Sequence, residues 1–162
     1  SLAQYFCEQA GALAPQEAAA GDFLRLMLNS FHFLCKGTRP NSQIKAIVEM
    51  RMLSLAGYMP NLVCCSGCSC YEAEEMFFLP QKGLIYCKDC FTDYTEPAVR
   101  LSRGALTGLR HIIYADFEKL FSFSLSKQGV KELAAASEQY ILSTLERSFN
   151  TLEFYRKMKT DD

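Results

Sequence analysis

The 162-residue sequence has no tryptophan and only two histidines, His32 and His111. It has no glycine-rich phosphate loop, no H-E-x-x-H helix and no G-x-S-x-G elbow. Those absences remove the common frames for nucleotide binding and for zinc or serine hydrolysis. Neither histidine supplies a partner for a nucleophile. His32 lies in the apolar run Phe31-His32-Phe33 and His111 follows Arg110 at a helix edge, so both read as structural or solvent-facing. A basic excess is also missing. Lysine and arginine total 17 against 18 aspartates and glutamates, a formal net charge of −1. Dedicated nucleic-acid binders usually carry a positive surplus, so any such contact here must come from a local patch. No apolar run reaches the roughly 18–20 residues of a membrane span. Ser1–Ala14 lacks the basic start of a signal peptide. The chain opens in helix-like sequence without an initiator methionine, which reads as a fragment or a processed chain.

What is present is globular. Hydrophobic residues make up 49% and charged residues 22%, enough for a sizeable core. The pattern predicts one mainly α, bundle-like domain over residues 1–162, with an insert at 62–94. A first helix over SLAQYFCEQAGAL is followed by a loop at Pro15–Gly21. A second helix runs from Asp22 as N-cap to Lys36. Its wide apolar surface (Phe23, Leu24, Met27, Leu28, Phe31, Leu34) predicts a central, largely buried element. A third runs from Asn41 to Ala56, with Ile44, Ile47, Val48, Met52 and Leu55 at helical spacing and Lys45 and Glu49 paired on the opposite side. Gly57 and Pro60 end it. Ser102 and Ser126 are N-caps of two further helices, the first presenting Ala105, Leu106, Leu109, Ile112 and Ile113 on one face. Thr151–Met158 suggests a short last helix. Between the third helix and Ser102, the helical pattern breaks. Phe77-Phe78-Leu79 and Leu84-Ile85-Tyr86 flank Pro80-Gln81-Lys82-Gly83, the signal of a short β-hairpin.

Six of the eight cysteines fall between residues 64 and 90. Cys65-x-x-Cys68 and Cys87-x-x-Cys90 are separated by eighteen residues, the spacing expected of a four-thiolate zinc site. A tight turn between paired thiols aims both sulfurs at one point, and Gly67 eases the first turn. The hairpin brings the second pair opposite the first. Four thiolates close the tetrahedron and leave no open position for a catalytic water. Disulfides compete with this reading, but the chain has a reducing, cytoplasmic look. A thioredoxin-like redox pair would explain one C-x-x-C and not two, and no βαβ context accompanies it. Cys65, Cys68, Cys87 and Cys90 are therefore the expected ligands of one structural Zn²⁺. Cys64 and Cys70 are read as bystanders able to substitute for a lost ligand. Cys7 and Cys35 are read as buried reduced thiols within helices.

Residues Glu49–Cys68 read E-M-R-M-L-S-L-A-G-Y-M-P-N-L-V-C-C-S-G-C. This resembles the signature of the RecO family of bacterial DNA repair proteins, approximately E-L-R-L-L, then G-Y-x-P-x-L, then C-x-x-C. Phe77–Cys90 is similar to the family's aromatic and glycine-bearing hairpin, and Leu101-Ser102 with Gly104-Ala105-Leu106 to the start of its next helix. The resemblance covers essentially the whole chain. It implies a helical, zinc-carrying portion of a recombination mediator, without the N-terminal OB-fold. It also implies a cytoplasmic, nucleoid-associated bacterial protein that is not an enzyme. Implied partners are the tail of single-strand-binding protein, RecR, and single-stranded DNA, in the service of RecA loading and strand annealing. Without the OB-fold, single strands should bind weakly and with steep salt dependence. One departure from the pattern is Ser69, which stands where a glycine commonly follows the first pair.

The alternative is a zinc-ribbon interaction module of another nucleic-acid pathway, such as transcription. For the acidic, apolar-ended tail, Arg103 and Arg110 lie seven apart along one helix edge, with Arg100 just upstream. These are candidate tail-binding residues, because the guanidinium fork suits a carboxylate. Lys45 and Arg51 of the third helix come next. Arg51 matches the family's arginine in E-L-R-L-L and could equally form an internal ion pair.

Overall fold

A computed structural model describes residues 1–13, 20–145 and 156–160. The described residues include the helices α1 (Leu2–Leu13), α2 (Ala20–Lys36), α3 (Asn41–Leu55), α4 (Arg103–Tyr114) and α5 (Lys127–Leu145), of which α4 and α5 pack against a small sheet. Its strands are β1 (Glu75–Leu79), β2 (Leu84–Cys87) and β3 (Val99–Ser102), in antiparallel order β2-β1-β3. The mainly helical class is as expected. A 3-10 turn, Phe117–Lys119, follows α4. Residues 156–160 are helical, and 151–155 of the expected last helix lie outside the described residues.

The central helix is α3 and not α2. Every residue from Gln43 to Met50 is buried, and α3 packs against α1, α2, α4 and α5. Helix α2 buries Phe23, Leu26 and Ser30 but leaves Leu24 and Leu28 about 60% exposed. Lys45 and Glu49, paired on the side of α3 opposite its apolar residues, do not face solvent. They are buried and satisfied instead. The Lys45 ammonium donates to Glu49 at 2.9 Å and to Glu138 at 3.0 Å. The Glu49 carboxylate also accepts from the Tyr5 hydroxyl at 2.7 Å and from Ser137 at 3.2 Å. Burial, then the adjacent Glu49 charge, holds the Tyr5 phenol far above its usual range, so it stays a donor. A buried charge persists only with partners of this kind, and here they join α1, α3 and α5.

Two sequence-predicted helix starts hold. Ser102 accepts from the Ala105 amide and Ser126 from the Gly129 amide. Helix α2, however, begins at Ala20, so Asp22 lies in its first turn, where a carboxylate favours the helix dipole. Cys7 and Cys35 are exposed rather than buried.

The sheet adds one strand to the expected hairpin. Phe77 pairs with Tyr86 on one side and Arg100 on the other, and Met76 with Cys87 and Leu101. Met76, Phe78, Ile85, Val99 and Leu101 face the core at the two-residue period of a strand. Gly83 takes φ 65° in the hairpin turn, a left-handed conformation open to glycine at little cost. Strand β3 has only four residues, with one alternation cycle and a charge at its second position. Its pairing to β1, rather than local pattern, creates it.

Candidate metal centre

Helix α3 stops at Gly57, whose φ of 95° turns the chain away from the helix axis. The following stretch is pinned where it passes α4. Arg110, 9% exposed, donates from Nε to the Leu62 carbonyl at 2.8 Å. Its second terminal nitrogen donates to the carbonyls of Val63 (3.2 Å) and Tyr71 (2.8 Å). The guanidinium also lies 4.0 Å from the centroid of the Tyr71 ring. One side chain thus ties down both ends of the segment that carries the first cysteine pair.

Within that segment, the Ser69 amide donates to the Cys65 carbonyl and the Cys65 amide to the Cys70 carbonyl, both at 2.9 Å. The Ser66 amide donates to Ile85 of β2, fixing this knuckle against the hairpin. The second knuckle follows β2 directly, with Cys90 and Phe91 amides donating to the Cys87 carbonyl. The four sulfurs of Cys65, Cys68, Cys87 and Cys90 all lie within 4.8 Å of one another. A tetrahedron with 2.3 Å metal–sulfur bonds has edges of about 3.8 Å. The Cys68–Cys87 sulfur separation is 3.8 Å. The donor set, all thiol, suits zinc or another soft metal ion.

Two local features support that fit. A Cβ on Gly67 would stand 2.7 Å from Cys90 Cβ and 2.8 Å from its sulfur, so only glycine lets the two knuckles close. Amides of Gly67 (3.3 Å) and Cys87 (3.2 Å) donate to the Cys65 sulfur. Burial raises the Cys65 thiol, but amide donors from Cys87, Cys68 and Gly67 outweigh it and bring it down to about 6. Ser69 has φ 64°, a left-handed conformation strained for serine. Its position explains why a glycine was expected there.

The cationic candidates do not form one edge. Arg110 points inward. Arg100 pairs with Glu75 at 2.6 Å on the sheet, and Arg103 is exposed at the start of α4. Lys45 is buried in the Glu49–Glu138 cluster. Among the described residues, Arg51 is in no ion pair. Its Nη1 donates to the carbonyls of Ile112, Ile113 and Ala115, capping the end of α4. Helical spacing gave the direction of these side chains around α4 but not what lay there.

A feature that sequence reasoning missed is a cavity of about 310 Å³ between α2 and the 3-10 turn, lined by Arg25, Phe33, Arg39, Phe117 and Phe121 among others. Arg25 lies 4.1 Å over the Phe117 ring, and Phe33 stacks on Phe121 at 4.7 Å. Arg39 donates to the Phe121 carbonyl at 3.0 Å. The arginines are fourteen residues apart and sit on different elements, so no periodicity links them.

These observations define a class: a helical domain with a small antiparallel sheet and a four-thiol centre held between two knuckles. The chain belongs to the family described as recombination protein O C terminal, which matches residues 1–153. A DNA repair protein RecO of Acetivibrio thermocellus is 32% identical over 139 residues, covering 86% of this chain and 55% of that protein. One of Symbiobacterium thermophilum is 30% identical over 163 residues, covering 99% of this chain and 64% of that protein. One of Dehalococcoides mccartyi is 28% identical over 148 residues. The chain thus spans 55% to 64% of the length of the first two relatives. No helix among the described residues is long and apolar enough to cross a membrane.

Proposed function

We propose that this chain is the zinc-bearing, helical part of a RecO-type recombination mediator, acting in DNA repair by binding rather than by catalysis. The carrying observation is the convergence of four cysteine sulfurs within 4.8 Å in a chain of the recombination protein O family. Residues 1–162 serve as one helical domain and 62–94 as its zinc insert. Cys65, Cys68, Cys87 and Cys90 hold one structural Zn²⁺, which orders an insert too short to carry its own core. Metal analysis of reduced, never-chelated protein should give one zinc per chain, and a value near zero ends the zinc reading.

The mediator works among cytoplasmic, nucleoid-associated partners: single-strand-binding protein, RecR and single-stranded DNA. It thereby supports RecA loading and strand annealing. This part alone binds single strands weakly and in a salt-sensitive way. A receptor for an acidic, apolar-ended tail needs an apolar floor with arginine at its rim. The cavity under Arg25 and Arg39 offers an aromatic floor and two arginines beside one acid, Glu118, and neither arginine has a carboxylate within 4.0 Å among the described residues. Arg25→Glu should weaken binding of a fluorescent tail peptide about tenfold or more, the scale of a charge-assisted contact. Unchanged affinity in a folded variant moves the receptor elsewhere.

A further inference from the structure

Several cations of this chain are spent on internal partners. Arg110 and Arg51 hold backbone carbonyls, and Arg100 holds Glu75. Lys159 is different. Its ammonium donates to the Ser42 hydroxyl at 2.6 Å, a neutral partner, and no carboxylate lies within 4.0 Å of it among the described residues. It borders a cavity of about 370 Å³ between the first turns of α3, the middle of α5 and the helical residues 156–160. That volume lies in the range of ligand clefts. Ser42, Lys45, Ala134, Glu138 and Arg156 line the cavity with Lys159.

The charges there do not balance. Glu138 accepts from Lys45 and from Arg156, and Glu49 accepts from Lys45 on the buried side. Three cations thus meet two carboxylates, and the surplus positive charge sits on Lys159. Hydrogen-bond donors are in surplus too. An ammonium has three N–H groups, and the bond to Ser42 uses one. Ser42, as the acceptor of that bond, keeps its own O–H to donate. Ala134 puts only a methyl group on the floor, which leaves the space open. Lys131 is exposed and in no ion pair among the described residues. It stands one turn before Ala134 on the same face of α5, so the positive track continues past the cavity.

We propose that this groove between α3, α5 and residues 156–160 is a phosphate-binding site, with Lys159 and Ser42 as its donors. A phosphate group presents acceptor oxygens in several directions, as donors on two walls of a groove require. The single charge of a phosphodiester also matches the single uncompensated cation. The site is separate from the thiol centre and from the cavity under Arg25, and it stands without the zinc reading. Its use for the backbone of a strand rests on the reading of this chain as a single-strand-binding mediator.

The test uses the full chain with two probes, inorganic phosphate at constant ionic strength and a fluorescein-labelled oligothymidylate. Phosphate is followed by amide chemical shifts, and the strand by anisotropy across a salt series. In wild type the phosphate-induced shifts should centre on Ser42 and Ala134. Lys159→Gln should weaken phosphate binding roughly tenfold and lower the salt slope of strand binding by about 0.7, the share of one phosphate contact on a single strand. Ala134→Leu fills the floor without changing any charge, and should weaken both probes as well. Lys88→Gln, which removes an exposed lysine of the zinc insert, should leave the phosphate shifts as in wild type. Response to both probes assigns the site to a strand backbone. Response to inorganic phosphate alone keeps the site, assigns it to a free phosphate and removes the strand role of this part. Shifts centred away from Ser42 and Ala134 overturn the proposal. So does binding of both probes that survives Lys159→Gln and Ala134→Leu unchanged, a result that leaves the mediator reading intact.

Discussion

Replacing Arg110 with methionine keeps the aliphatic packing of the side chain and removes its guanidinium. Three carbonyls, at Leu62, Val63 and Tyr71, then lose a charged donor held at 2.8–3.2 Å. Hydrogen bonds to charged groups are each worth about 1.5–3 kcal/mol, but the Val63 and Tyr71 carbonyls can recover water. We take the full value for the Leu62 bond and half for the others. The stacking over Tyr71, itself 58% exposed, adds about 0.5 kcal/mol. The expected loss is ~3.5–6.5 kcal/mol less the recovered desolvation cost of the buried charge, leaving about 2–4 kcal/mol. For a chain of this size that is a fall in melting temperature of roughly 5–15 °C. Thermal unfolding of the zinc-loaded protein measures it, and hydrogen exchange at residues 62–71 localises it. Arg110→Lys should recover less than half, because an ammonium cannot serve three carbonyls in a plane. A loss below about 1 kcal/mol, or exchange unchanged in that segment, refutes the view of Arg110 as the clamp on the first cysteine knuckle. Arg110→Glu is a poor probe of partner binding for the same reason: its first effect is on this segment.

Gly67→Ala places a methyl 2.7 Å from Cys90 Cβ; the strain of about 1–3 kcal/mol should lower zinc affinity some five- to 150-fold in chelator competition. Ser69→Gly relieves a φ of 64° and should raise stability by about 0.5–1 kcal/mol in denaturant unfolding, with a decrease counting against strain at that residue. Glu49→Gln leaves the buried Lys45 with Glu138 as its one carboxylate partner among the described residues and weakens the acceptor for Tyr5. It should cost about 2–4 kcal/mol by urea unfolding, and a neutral result would show that the cluster tolerates an amide.

Local rules settled a good deal of this molecule before any tertiary contact was considered. Helix caps at Ser102 and Ser126, the stop at Gly57, the Gly83 hairpin turn and the paired C-x-x-C spacing are short-range features. Each depends on backbone sterics or a reach of a few residues, so each is written in adjacent letters. The remainder was decided at long range. Lys45 and Glu49 occupy the i and i+4 positions of a solvated pair, yet α1 and α5 close over them, and only those distant helices supply Tyr5, Ser137 and Glu138. Arg110 has the spacing of a surface residue, but the chain 39 to 48 positions upstream returns to it with three free carbonyls. Strand β3 exists because β1 offers it an edge. The choice of Cys68 over Cys70 as a converging thiol lies between these cases. Spacing favoured Cys68, and its sulfur comes within 4.8 Å of those of Cys65, Cys87 and Cys90 only where the first knuckle and the hairpin meet in the folded chain.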